Sequence, residues 1–133
     1  MHQNLYVHRD ICGDNFLIDR KDIIDPQCKV SLCDFGTTVK LFSRTERLSE
    51  VAGTKLFWCP EFHSKNYSLP VDLWAFGIVL YGMCTGRFPF KNEQDALTKQ
   101  ITIPETVPEA GAKLIEGLLE RTEDKRLDSQ GLV

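Results

Sequence analysis

His8-Arg9-Asp10-Ile11-Cys12-Gly13-Asp14-Asn15 and, further along, Asp34-Phe35-Gly36 decide how this chain reads. Either motif alone is an acid in a solvated turn. Taken together they hold a distinct set of donors. Asp10 supplies a carboxylate that can orient a hydroxyl and accept its proton. Asn15 offers a side-chain carbonyl oxygen and Asp34 a carboxylate oxygen, the hard ligands that suit magnesium.

The residues around the motifs predict how they are carried. Phe16-Leu17-Ile18 and Lys29-Val30-Ser31-Leu32 are short apolar or alternating runs joined by the polar stretch 19–27, which predicts a small hairpin with a long connection. From Thr37 to Phe57 no periodicity supports a helix or strand, and a long loop is expected. Pro70 can open a helix, Asp72 favours its N-terminus, and Val71 to Met83 is apolar on nearly every face, so that helix must be buried all round. A further helix is predicted over Asn92 to Ile101 behind a capping Asn, and another carries the stripe Leu114, Ile115, Leu118 and Leu119.

With 133 residues, 42% apolar and 26% charged, the chain can bury one core but not two. A net charge of -3 excludes binding driven by nucleic-acid phosphates. The longest apolar stretch, Leu73 to Cys84, is too short to span a bilayer, and no membrane partner is expected. Five cysteines without a C-x-x-C pair fit reduced thiols, and with no leader pattern at His2-Gln3-Asn4 an intracellular, cytoplasmic setting is expected.

The order of motifs completes the reading. After the first two come Gly53-Thr54, Cys59-Pro60-Glu61, Asp72-Leu73-Trp74-Ala75-Phe76-Gly77, Gly86-Arg87-Phe88-Pro89-Phe90 and Arg126. This succession resembles the C-terminal lobe of eukaryotic-type protein kinases, with Cys59-Pro60-Glu61 where the family writes Ala-Pro-Glu. The resemblance implies an α+β, mainly α fold over residues 1–133, with the small hairpin beside the catalytic loop and a buried central helix. It implies ATP and magnesium as cofactors and a protein hydroxyl as substrate. Asp10 is then the catalytic base, Asn15 and Asp34 the metal ligands, and Leu17 the residue beneath the adenine. His8 and Phe35 would stack in a spine, Asp72 would hold the catalytic-loop backbone, and Glu61 would pair with Arg126. Thr54 after Gly53 matches serine/threonine kinases, where tyrosine kinases place Pro.

The chain also departs from the family. Serine/threonine kinases carry a Lys where Cys12 stands, and tyrosine kinases an Arg where Asp14 stands. Losing one such electrostatic contact costs about 2.7–4 kcal/mol in the transition state. No glycine-rich phosphate loop, strand Lys or partner Glu occurs in these residues, so a missing or separate N-terminal lobe is expected, with Met1 an internal methionine of a longer protein. Weak nucleotide binding by this chain alone follows. Arg9 beside Asp10 marks kinases whose activation segment is phosphorylated, and Glu50 is expected to give Arg9 a built-in negative charge, unless Ser49 is phosphorylated. The alternative function is a pseudokinase or scaffold lobe that binds a protein without catalysis.

Overall fold

The computed structural model describes residues 1–129. Two small sheets lie over a helical base. Strand β1 (Tyr6–Val7) pairs antiparallel with β4 (Val39–Lys40), and β2 (Phe16–Ile18) pairs antiparallel with β3 (Val30–Leu32). The register of the second pair, Phe16 opposite Leu32 and Ile18 opposite Val30, is the predicted hairpin. Its connection closes on its own bonds: Asp19 accepts from the Lys29 amide at 2.8 Å, and Arg20 pairs with Asp25 at 3.0 Å.

Helix α1 (Pro60–Ser64) leads to α2 (Pro70–Thr85), the axis of the molecule. Pro70 begins α2, where a missing N–H costs nothing, and Gly86 ends it with φ of 69°, its amide returning to the Gly82 carbonyl at 2.8 Å. Around α2 the core gathers Val7, Leu41, Tyr67, Trp74, Ile78 and Phe90, among others. Trp74 stacks on Phe90 with ring centroids 5.5 Å apart. Helix α3 (Glu93–Thr98) follows, and α4 (Glu109–Leu118) lays Ile115 and Leu118 on α2, with Leu119 buried just beyond. The result is a mainly helical α+β fold with two-stranded sheets. Among the described residues no helix is long and apolar enough to cross a membrane.

Three local expectations are corrected. The stretch 37–57 is not structureless: it contains β4, a 3-10 turn over Lys55–Phe57, and a bridge from Leu48 to Tyr67. β4 and the bridge are fixed by distant partners, so local periodicity carries no trace of them, while the 3-10 turn is closed by local bonds from Phe57 to Thr54 and from Trp58 to Lys55. Helix α3 stops at Thr98 rather than Ile101, because Lys99 is extended. The Arg121 side chain donates to the Ala96 carbonyl at 2.8 Å and to the Lys99 carbonyl, satisfying acceptors that another turn would have used. Finally, α2 is enclosed only along its first part, since Met83 is 60% exposed and Cys84 also faces outward.

Candidate active site

The loop 8–15 is held from below by one carboxylate. Asp72, buried on the first turn of α2, accepts from the amides of His8 at 2.7 Å and Arg9 at 2.8 Å. His2 adds a third contact to the same group at 3.0 Å. These bonds hold Arg9 in the left-handed region, φ 70°, which turns the chain sharply into Asp10. His8 is fully buried. Its Nδ1 accepts from the Asp10 amide at 3.3 Å, so Nε2 carries the proton that is donated to the Cys33 carbonyl at 3.1 Å. Phe35 packs edge-on against the His8 ring at 5.3 Å between centroids.

The two motifs meet through the hairpin. The Cys33 amide donates to the Asn15 carbonyl at 2.9 Å, one rung that carries the chain from Asn15 and β2 to Asp34 beyond β3. Asn15 turns its Nδ2 to the Asp10 carbonyl at 2.8 Å and reaches the Asp10 carboxylate at 3.4 Å. That leaves its side-chain oxygen for a cation. Asp34 also has positive φ, 58°, and among the described residues only its Oδ1 is engaged, by the Gly36 amide at 3.2 Å. A carbonyl and a carboxylate with lone pairs to spare fit magnesium, which keeps several waters and takes few protein ligands.

Asp10 is oriented from the opposite side. Its Oδ1 accepts from the Thr54 amide at 2.9 Å and the Thr54 hydroxyl at 3.0 Å. The approach needs Gly53, which has φ of 78° and where a Cβ would overlap the Arg9 carbonyl oxygen. Beside this contact runs a groove of about 600 Å³ lined by Cys12, Thr54, Leu56, Phe57, Met83 and Phe88. Cys12 is 6% exposed, and burial, then the neighbouring Asp10 charge, push its thiol pKa up. It is a neutral wall of the groove.

The other predicted residues lie at the rims. Leu17 is 57% exposed on the hairpin, opposite Ser31. Glu61 meets Arg126 at 2.6 Å, with the Arg126 side chain fully buried. This is a charge contact rather than an aligned hydrogen bond: the Glu61 oxygens have no aligned donor, and the guanidinium donates to the carbonyls of Glu120 and Pro70. Glu50 does not give Arg9 its carboxylate, and no ion pair of Arg9 occurs among the described residues. Arg9 donates instead to the Thr37 carbonyl at 2.6 Å and toward the Tyr67 hydroxyl at 3.4 Å. His2, Thr37 and Tyr67 were not singled out from sequence, since each acts through one or two bonds and none belongs to a run.

This loop, hairpin and helix arrangement is that of a protein kinase. The family model for the protein kinase domain matches residues 1–133, and the chain belongs to that family. The relatives it matches include serine/threonine-protein kinases. It is 31% identical to the serine/threonine-protein kinase gad8 of Schizosaccharomyces pombe over 98% of this chain and 23% of that protein. It is 35% identical to a cGMP-dependent protein kinase of Plasmodium berghei, over 96% of this chain and 15% of that protein. Mouse protein kinase C delta type is 30% identical, over 98% of this chain and 20% of that protein. The chain thus spans less than a quarter of the length of these relatives.

Proposed function

We propose that these residues form the catalytic face of a serine/threonine protein kinase, which transfers the ATP γ-phosphate to a protein hydroxyl once joined to a phosphate-gripping lobe. The observation that carries this reading is the convergence of Thr54 and Asn15 on Asp10. With Oδ1 of Asp10 engaged by Thr54, Oδ2 is the oxygen that orients the acceptor hydroxyl and takes its proton. Asn15 and Asp34 hold the cation, and bound magnesium neutralises phosphate charge. Leu17 supports the adenine, and the groove beside Cys12 takes the protein segment flanking the acceptor. Arg9, Thr54 and Glu61 order the activation segment, to which Glu50 contributes its backbone carbonyl.

Cys12 is the observation that favours the alternative, a scaffold lobe. It brings no cation to the phosphate, and among the described residues no Lys or Arg is ion-paired with Asp10. The test is Asp34→Ala in the complete protein that contains this chain. A kinase loses phosphoryl transfer by at least a hundredfold while retaining its partners. Phosphorylation of partner proteins unchanged by the substitution, or absent from the unsubstituted protein, overturns the kinase reading.

A further inference from the structure

The segment between the hairpin and α1 is pinned at three places by the chain's own groups. Arg47 donates to the Asn66 side chain at 2.9 Å and backbone carbonyl at 2.6 Å, and forks onto Glu123 with one arm at 3.0 Å. The Glu123 hydrogen bond, chiefly, raises the Arg47 pKa, so this cation is permanent. Next, Leu48 and Tyr67 exchange both backbone hydrogen bonds, at 2.7 and 3.1 Å. Last, Thr54 closes on Asp10. Between the second and third pins stands the Tyr67 hydroxyl. It donates to the Glu50 carbonyl and receives the approach of the Arg9 guanidinium.

We propose that Tyr67 is a positioning residue that couples Arg9 to the 47–54 segment and seats Thr54 on Asp10 without phosphorylation. Tyr67 is fully buried and its ring lies edge-on to Phe62 at 4.5 Å, so the hydroxyl is held at a fixed place rather than on a mobile surface arm. A phosphate on Ser49 or a carboxylate at Glu50 would bridge Arg9 to the segment by charge. Here a phenol spans the same gap by taking the guanidinium on one side and giving its proton to the main chain on the other. The link uses the Glu50 carbonyl, which any residue at position 50 would supply. Glu50 is therefore dispensable for it and Tyr67 is not.

The proposal rests on the kinase reading for its meaning, but its readout is the seat of Thr54, so either can fail alone. The experiment follows the Thr54 amide by ¹⁵N–¹H NMR and hydrogen exchange in the 133-residue chain, produced unphosphorylated and verified by mass. A protected, carboxylate-bonded Thr54 amide is expected in the unmodified chain. In Tyr67→Phe, which keeps the ring and its packing, exchange at Thr54 rises roughly fivefold to tenfold, the size of one hydrogen bond, and its signal moves. Glu50→Ala leaves both unchanged. An unprotected Thr54 in the unphosphorylated chain, or full protection in folded Tyr67→Phe, overturns the proposal. If Tyr67→Phe does not fold, Arg9→Lys decides, because a lysine cannot span both Thr37 and Tyr67: lost protection supports the coupling and retained protection overturns it.

Discussion

Cys59 occupies the family's Ala position beside Glu61, and burying a thiol there makes the fold sensitive to alkali. It is 1% exposed. Burial, then the Glu61 carboxylate, push its pKa far above the ordinary value. Below about pH 8.5 the thiol is protonated in folded and unfolded chains alike and contributes no pH dependence. Above that, the unfolded thiol loses its proton and the folded one keeps it, so stability falls as pH rises, by up to about 1.4 kcal/mol per pH unit. Urea unfolding at pH 7 to 10 is expected to show a shallower alkaline decline for Cys59→Ala than for the unsubstituted chain. Parallel declines would show that Cys59 ionises freely. Cys12 is shifted in the same direction by the same leading cause.

The site residues differ in how visible they are from sequence. Asp10, Asn15 and Asp34 stand in two compact motifs beside Gly13, Phe35 and Gly36, which the kinase resemblance marks. Tyr67, His2 and Thr37 serve that geometry through single polar atoms, and nothing in the neighbouring sequence marks them. Glu50 illustrates the opposite case, a conspicuous charge whose contact to the site is made by its backbone.

At the level of elements, α2 and its contact with α4 hold the structure together. The helix was legible because an unbroken apolar run between Pro70 and Gly86 has few other ways to fold, whereas β4 and the Leu48–Tyr67 bridge depend on partners far away in sequence. Two glycines inside α2 make a paired prediction. A Cβ at Gly77 would stand 2.9 Å from Leu118 and Leu119 side-chain atoms, whereas at Gly82 nothing lies nearer than 3.9 Å. Alanine gains about 1 kcal/mol over glycine in a helix interior. Overpacking costs about 1–3 kcal/mol. Thermal melts are therefore expected to place Gly82→Ala above the unsubstituted chain and Gly77→Ala below it. A gain in both would mean that α4 yields at no cost.

Across the whole molecule, Arg126 joins parts that sequence keeps far apart: it pairs with Glu61, donates to the Pro70 and Glu120 carbonyls, and lies 5.2 Å over the Trp74 ring. The pairing with Glu61 was expected from the resemblance; the stacking and the carbonyl contacts had no signal in the sequence. Replacing Arg126 by Met strands the Glu61 charge in the interior, with an expected loss of about 3–5 kcal/mol in urea unfolding. Adding Glu61→Gln to that variant is expected to restore part of the loss, since the stranded charge is gone. No recovery would show that the carbonyl contacts and the Trp74 face, rather than the ion pair, carry the effect.

The hairpin sets Asn15 and Asp34 by a rung at one end and closes its turn by separate bonds at the other, with Ile24 84% exposed at its tip. Length at that tip is thereby uncoupled from chemistry. A tag, a reporter domain or a pair of new chain ends engineered at Ile24 would meet open solvent and leave the rung beneath it intact.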